Sequence, residues 1–175
     1  EDEKRFYTWT LQSHIDLAKA VWLDYCECKM IDTIAREPLW RHLINYRCGT
    51  GHSVSFVGNV HEGPHALNGR NTTLMRPGMI VTDEPGVYET DLVGIRIENE
   101  LVCVHKADNQ YGTFLGFEPI MFVPIATSPI VPGVLTKDEL DWLNNYHRQV
   151  FEKLAPRLND EEREWLAKKC AAIGC

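Results

Sequence analysis

Residues Gly49–Pro64 read GTGHSVSFVGNVHEGP, and this stretch decides the fold. Gly49 and Gly51 break the helical pattern that precedes them, and Val54, Phe56, Val57 and Val60 favour an extended chain. Two later stretches answer it, Val81–Glu89 (VTDEPGVYE) and Gly94–Asn99 (GIRIEN). His52 opens the first run. Glu84 closes the second, ahead of a Pro-Gly turn, and Glu98 lies two residues after Arg96 in the third. Strand pairing of these runs brings His52, Glu84 and Glu98 to one face. One imidazole and two carboxylates suit a hard or borderline divalent metal.

Upstream of this stretch, Tyr7, Leu11, Ile15, Ala18 and Trp22 form one apolar stripe, which predicts a helix over 3–24. Asp2 and Glu3 suit the positive end of its dipole. A second helical region is predicted over 31–36 and 39–46, interrupted by Pro38. His14 and His42 are expected on solvated helix faces, and Cys48 as a small buried residue. Strands are predicted over 53–60, 78–83, 94–105 and 114–125, with a loop over 61–77 in which His65 is read as solvated. In 94–105, Ile95, Ile97, Leu101 and Cys103 take one face and Arg96, Glu98 and Glu100 the other. Pro119 and Pro124 mark 114–125 as an edge strand or extended arm.

Downstream, Thr136 and Glu139 form a capping box for a helix that runs to Leu154, where Pro156 stops it. Asn159 caps a last helix through about Ala172. The fold class is therefore α+β: a curved antiparallel sheet covered by helices, with a helical extension at the C-terminal end.

With 175 residues, 44% of them hydrophobic and 25% charged, the chain can build a full core. A net charge of -7 and the lack of a basic stripe argue against generic nucleic-acid binding. No apolar run approaches the roughly 18 residues needed to span a bilayer. The start, EDEKR, without Met, reads as that of a processed or cut fragment. Six scattered Cys read as reduced thiols in a cytoplasmic protein.

The three motifs, followed by FEPIMFVPI (Phe117–Ile125) and DWLNNYH (Asp141–His147), resemble the aminopeptidase P family of Xaa-Pro aminopeptidases, of eukaryotic cytosolic type. The resemblance covers nearly the whole chain and implies the C-terminal part of a pita-bread metallopeptidase. It implies that 1–112 belong to the catalytic domain and 113–175 to the extension of that type. It assigns His52, Glu84 and Glu98 to the metals and His61 to proton transfer at the reacting peptide bond. Arg96, His65 and Tyr88 fall beside the metals or the substrate. Two divalent metals, often manganese with zinc or cobalt as alternatives, activate a water in this family. That water attacks the bond between the first residue and a proline.

Peptides with proline second are the implied substrates, and a homodimer through the extension the implied assembly. Two aspartate ligands of the family precede the first helix and have no counterpart here, so the site is expected to be incomplete and the isolated chain inactive. Cys48 stands where the family usually has His, and Ser53 and Ser55 where it has Gly; these departures bear on substrate fit. A metal-free binding module of the same fold and a prolidase-type dipeptidase are the alternatives.

Overall fold

The computed structural model describes residues 2–174. Along the chain lie α1 (Asp2–Ala18), β1 (Val21–Leu23), α2 (Cys28–Trp40), β2 (Gly51–His52) and β3 (Ala66–Leu67). Then come β4 (Ile80–Asp83), β5 (Gly86–Glu89), β6 (Val93–Arg96), β7 (Asn99–Asn109) and β8 (Gly112–Pro119). The chain closes with α3 (Lys137–Leu154) and α4 (Asp160–Lys169), joined by a 3-10 turn at Ala155–Arg157. β7 is the central strand: Asn99, Leu101 and Cys103 are buried on one face, as period-two alternation requires. The main sheet runs β1-β8-β7-β4, antiparallel throughout. Two short ribbons, β2–β3 and β5–β6, stand beside it, and a bridge from Ser53 to Val81 ties the first ribbon to β4.

α1 and α2 cover this sheet. Leu17, Ile31 and Ala35 from the helices meet Leu101, Leu115 and Phe117 from the strands in one cluster. Each fully buried Leu or Ile contributes roughly 1.5–3 kcal/mol. Leu11 and Ile15 of α1 meet Leu140 and Leu143 of α3 in a second cluster, so the extension packs directly on the first helix. The capping box of Thr136 and Glu139 forms as expected, as does that of Asn159 and Glu162. Of the apolar residues that the extension carries, Leu143, Tyr146 and Leu166 are buried within this chain, whereas Trp165 is 56% exposed.

Several local expectations give way to tertiary structure. The first helix stops at Ala18 and does not reach residue 24. Val21–Leu23 pair with β8 instead, and Trp22 leaves the helical stripe to pack on Phe117 at 4.6 Å. A β-branched and aromatic triplet beside an open sheet edge gains more by pairing than by continuing a helix. Pro38 does not split a helix: α2 runs through it and ends two residues later, at Trp40. Residues 41–46 are not helical, and Leu43 adopts a positive φ of 60°.

The expected strand 53–60 is a loop. It has no neighbouring strand to pair with, and Phe56, Val57 and Val60 stand in solvent. Residues 94–105 divide into β6 and β7, because β6 pairs with β5 while β7 pairs with β4. The switch of partner falls at Ile97 and Glu98. The arm 114–125 is a strand only as far as Pro119. Beyond it, Tyr146 and His147 of α3 hold the chain through hydrogen bonds with the backbone of Met121, Val123 and Ile125. The division expected at 112/113 falls within the first residues of β8, which are paired with β7.

Candidate metal centre

Gly51 starts the site. A Cβ there would collide with the Thr82 carbonyl, so only glycine lets β2 lie this close to β4. The approach allows the His52 backbone N–H to donate to Thr82 Oγ1 at 3.0 Å, and Thr82 Oγ1 to donate to Glu84 Oε1 at 2.8 Å. The Glu84 N–H donates to the Thr50 carbonyl at 2.8 Å. His52 Nε2 and Glu84 Oε1 then lie 3.0 Å apart.

Behind them stands a polar support. Thr50 donates to Asp32, and Arg36 binds Asp32 at 2.7 Å while donating to the carbonyls of Tyr46 and Cys48 at 2.8 and 2.9 Å. Arg36 also stacks on the Tyr46 ring. Burial holds the Tyr46 phenol well above its ordinary range, so it stays protonated.

The other candidates take different positions. His61 lies against His52, with ring centroids 4.1 Å apart. Arg96 sits between the two carboxylates, with Nη1 at 3.7 Å from Glu84 and Nε at 3.2 Å from Glu98. Tyr88, then Glu98 and Glu84, raise the Arg96 pKa, so it remains charged. Glu98 thus reaches the pair only through Arg96. Among the described residues no three His, Cys, Asp or Glu side chains form one metal-holding group. The expected convergence of all three is therefore a two-residue contact plus an arginine bridge, and the partner switch between β6 and β7 is the reason. Cys48, His52, His61, Glu84, Tyr88 and Arg96 line a cavity of about 290 Å³.

His65 is not a solvated loop residue: it is 7% exposed, with Nε2 at 2.7 Å from the Ile80 carbonyl. His14 is also buried rather than solvated. Its Nδ1 lies 3.0 Å from Asp83 Oδ2, and both side chains are sealed from water. Burial pushes the Asp83 carboxyl up, against the pull of His14. His42 stacks on Trp9 with centroids 4.0 Å apart, and Cys48 is exposed. Sequence reasoning missed Thr50, Thr82 and Asp83; the one signal for them was their place beside the singled-out residues.

The donor chemistry fits a divalent metal at His52 and Glu84. His52 Nδ1 lies 3.0 Å from the Ser53 carbonyl, which can only accept, so Nδ1 carries the hydrogen. Nε2 then offers a lone pair toward a carboxylate oxygen that offers another, and a cation between them satisfies both. A ligand imidazole whose second nitrogen donates to a carbonyl is the usual arrangement at metal sites.

The sequence pattern of metallopeptidase family M24 matches residues 1–105, and that of the C-terminal region of peptidase M24 matches 113–173. The chain belongs to the M24 metallopeptidases. It is 42% identical over 179 residues to Aminopeptidase P1 of Lotus japonicus, covering 98% of this chain and 27% of that one. To Aminopeptidase P2 of Arabidopsis thaliana it is 44% identical over 171 residues, covering 94% and 24%.

The fold matches a crystal structure of an X-prolyl aminopeptidase from Caenorhabditis elegans with a TM-score of 0.91 and 36% identity. That match covers 99% of this chain and 29% of the other, which is described as a cytosolic enzyme with a di-nuclear active site. A prolidase from Pyrococcus furiosus matches with a TM-score of 0.57 at 25% identity, over 68% of this chain and 32% of the other. The chain thus spans less than a third of the length of these relatives. The pita-bread fold and the likeness to aminopeptidase P both stand on these matches.

Proposed function

We propose that this chain carries the His52–Glu84 side of the metal centre of an Xaa-Pro aminopeptidase, a cytoplasmic enzyme that removes the first residue from peptides with proline second. The 3.0 Å contact between His52 Nε2 and Glu84 Oε1, with Nδ1 donated to Ser53, supports this reading. His52 and Glu84, joined by Glu98, would hold the metal, manganese by the family likeness. The metal supplies Lewis acidity for attack of water on the peptide carbonyl.

His61, packed on His52, holds or delivers the proton that the leaving proline nitrogen takes up. Arg96 and Tyr88 orient the substrate or the carboxylates, and His65 fixes β3 against β4. Residues 1–112 carry the site, and 113–175 brace it through α3. Exposed Trp165 is our candidate for a homodimer contact, which sedimentation tests.

His52, Glu84 and Glu98 cannot by themselves clamp a pair of metals, so the isolated chain is expected to bind manganese weakly and to leave an Xaa-Pro peptide intact. In the complete protein, His52→Ala and Glu84→Gln are each expected to abolish turnover of that peptide. Turnover by the isolated chain that is lost in His52→Ala, or turnover by the complete protein that survives it, overturns the reading.

A further inference from the structure

The sequence has no basic stripe, yet folding assembles a basic basin. Lys29 and Arg36 of α2, Arg47 of the segment that follows it, and Arg70 of the loop before β4 line one cavity of about 790 Å³. Its only lining carboxylate is Asp32. Asp32 is committed to Arg36, and Lys29 is paired with Glu27. The side chains of Arg47 and Arg70 are exposed and have no ion-pair or hydrogen-bond partner among the described residues. In a chain of net charge -7 these two cations line one cavity whose single carboxylate is already committed.

The basin is built on fixed backbone. Arg36 donates to the carbonyls on either side of Arg47. The Asn68 side chain accepts from the N–H groups of Arg70 and Asn71 at 3.0 and 3.1 Å. Trp40 forms part of the wall, with Nε1 donating to Asn45 at 3.1 Å.

A chain of adjoining cavities links the basin to the metal centre through shared walls. A middle cavity of about 520 Å³ shares Cys48 and Tyr88 with the His52–Glu84 cavity, and Asn45, Tyr46 and Arg47 with the basin. Glu89 and Arg47 both line that middle cavity, whereas Arg70 lines the basin alone. An aminopeptidase leaves only one residue on the amino side of the cleaved bond. A path that leads away from the site through two further cavities therefore suits the carboxyl side of the substrate. We infer that the Arg47–Arg70 basin binds a carboxylate on the downstream part of the peptide substrate, either an acidic side chain or the terminal carboxylate. The direction of the path rests on the aminopeptidase reading; the carboxylate preference rests on the basin itself.

The test uses the metal-loaded complete protein with a set of Xaa-Pro peptides carrying Asp, Gln or Lys at the third to sixth positions, each with a free or an amidated C-terminus. Binding of fluorescently labelled analogues with an N-methylated, uncleavable first bond is read by anisotropy beside kcat/KM. The peptide that brings a carboxylate to the basin, as Asp at one register or as a free C-terminus, is expected to bind about tenfold more tightly than its Gln or amidated counterpart. The advantage should shrink as salt rises and be lost in Arg47→Gln/Arg70→Gln, through KM with kcat unchanged.

If amidation alone removes the advantage, the carboxylate is the terminal one. If it persists in the amides, the carboxylate is a side chain; both outcomes uphold the inference. Equal binding of all the peptides, Asp, Gln and Lys, free and amidated alike, overturns it, even with an active enzyme. A lowered thermal midpoint in the double variant without any change in peptide preference also overturns it, because the arginines then hold another part of the protein. Salt-sensitive binding of acidic peptides by a protein without peptidase activity keeps the basin and removes the aminopeptidase reading.

Discussion

Thr82 Oγ1 bridges His52 and Glu84: it accepts from the His52 N–H at 3.0 Å and donates to Glu84 Oε1 at 2.8 Å. One hydroxyl therefore sets both the backbone and the side-chain side of the candidate metal pair. Thr82→Val keeps the shape and removes both bonds, and is expected to destabilise the chain by about 1–3 kcal/mol. Manganese affinity of the complete protein should fall about 10–100-fold, the usual cost of losing an outer partner of a metal ligand. Thr82→Ser should restore most of both. Calorimetric titration beside chemical denaturation checks this, and an unchanged affinity in Thr82→Val would remove Thr82 from the site.

Gly51 has no room for a side chain against the Thr82 carbonyl. Gly51→Ala should therefore push β2 off β4 and cost about 3 kcal/mol, the upper end of the usual range for overpacking. Denaturant unfolding measures it; a cost below about 1 kcal/mol would mean that β2 can shift freely.

The Tyr146 hydroxyl joins three segments. It accepts from Asn99 Nδ2 at 2.9 Å and from the Val123 N–H at 3.2 Å, and donates toward the Val123 carbonyl at 3.0 Å. Tyr146→Phe leaves the buried Asn99 amide unpaired, with an expected loss of about 1–3 kcal/mol. In a chain of this size the thermal midpoint falls by about 2–4 °C for each kcal/mol. A midpoint equal to that of the parent would show that the amide finds another partner.

His147 is fully buried, and its Nε2 accepts from the Ile125 N–H at 3.1 Å. Burial holds its pKa below the ordinary value of about 6.5. The unfolded chain therefore binds the proton more readily than the folded one. This contribution to stability is full above about pH 6.5 and is lost as the pH falls through that value toward the lower folded-state pKa. His147→Gln keeps an acceptor for Ile125 but does not titrate. The stability difference between parent and variant should be constant above neutrality and shift in favour of the variant on acidification. A difference independent of pH from 8 to 5 would show that His147 does not titrate on unfolding.

Much of the architecture was legible because its signals are local. The capping boxes at Thr136 and Asn159 depend on residues three apart, and both form. The alternation that buries Leu101 and Cys103 depends on residues two apart. Failures occurred where a distant partner decided the outcome. Trp22 follows a helical stripe by spacing, but β8 offered it an edge and Phe117 a surface. Val54, Phe56, Val57 and Val60 favour a strand by type, but only Ser53 found a partner, in a single bridge to Val81.

The sequence by itself determined the residue types of the candidate site, because imidazole and carboxylate chemistry belongs to single residues and their motifs are contiguous. It also determined the starts of the first and the last two helices and the alternation that buries Leu101 and Cys103, whose signals are short-range. Only the tertiary structure decided which of those residues meet. β2 lies on β4 because Gly51 permits it, so His52 reaches Glu84. β6 leaves the main sheet to pair with β5, so Glu98 meets Arg96 instead. The His14–Asp83 pair and the Arg47–Arg70 basin are likewise products of folding. Their members lie 69 and 23 residues apart, distances at which no sequence periodicity operates and only packing brings charges together.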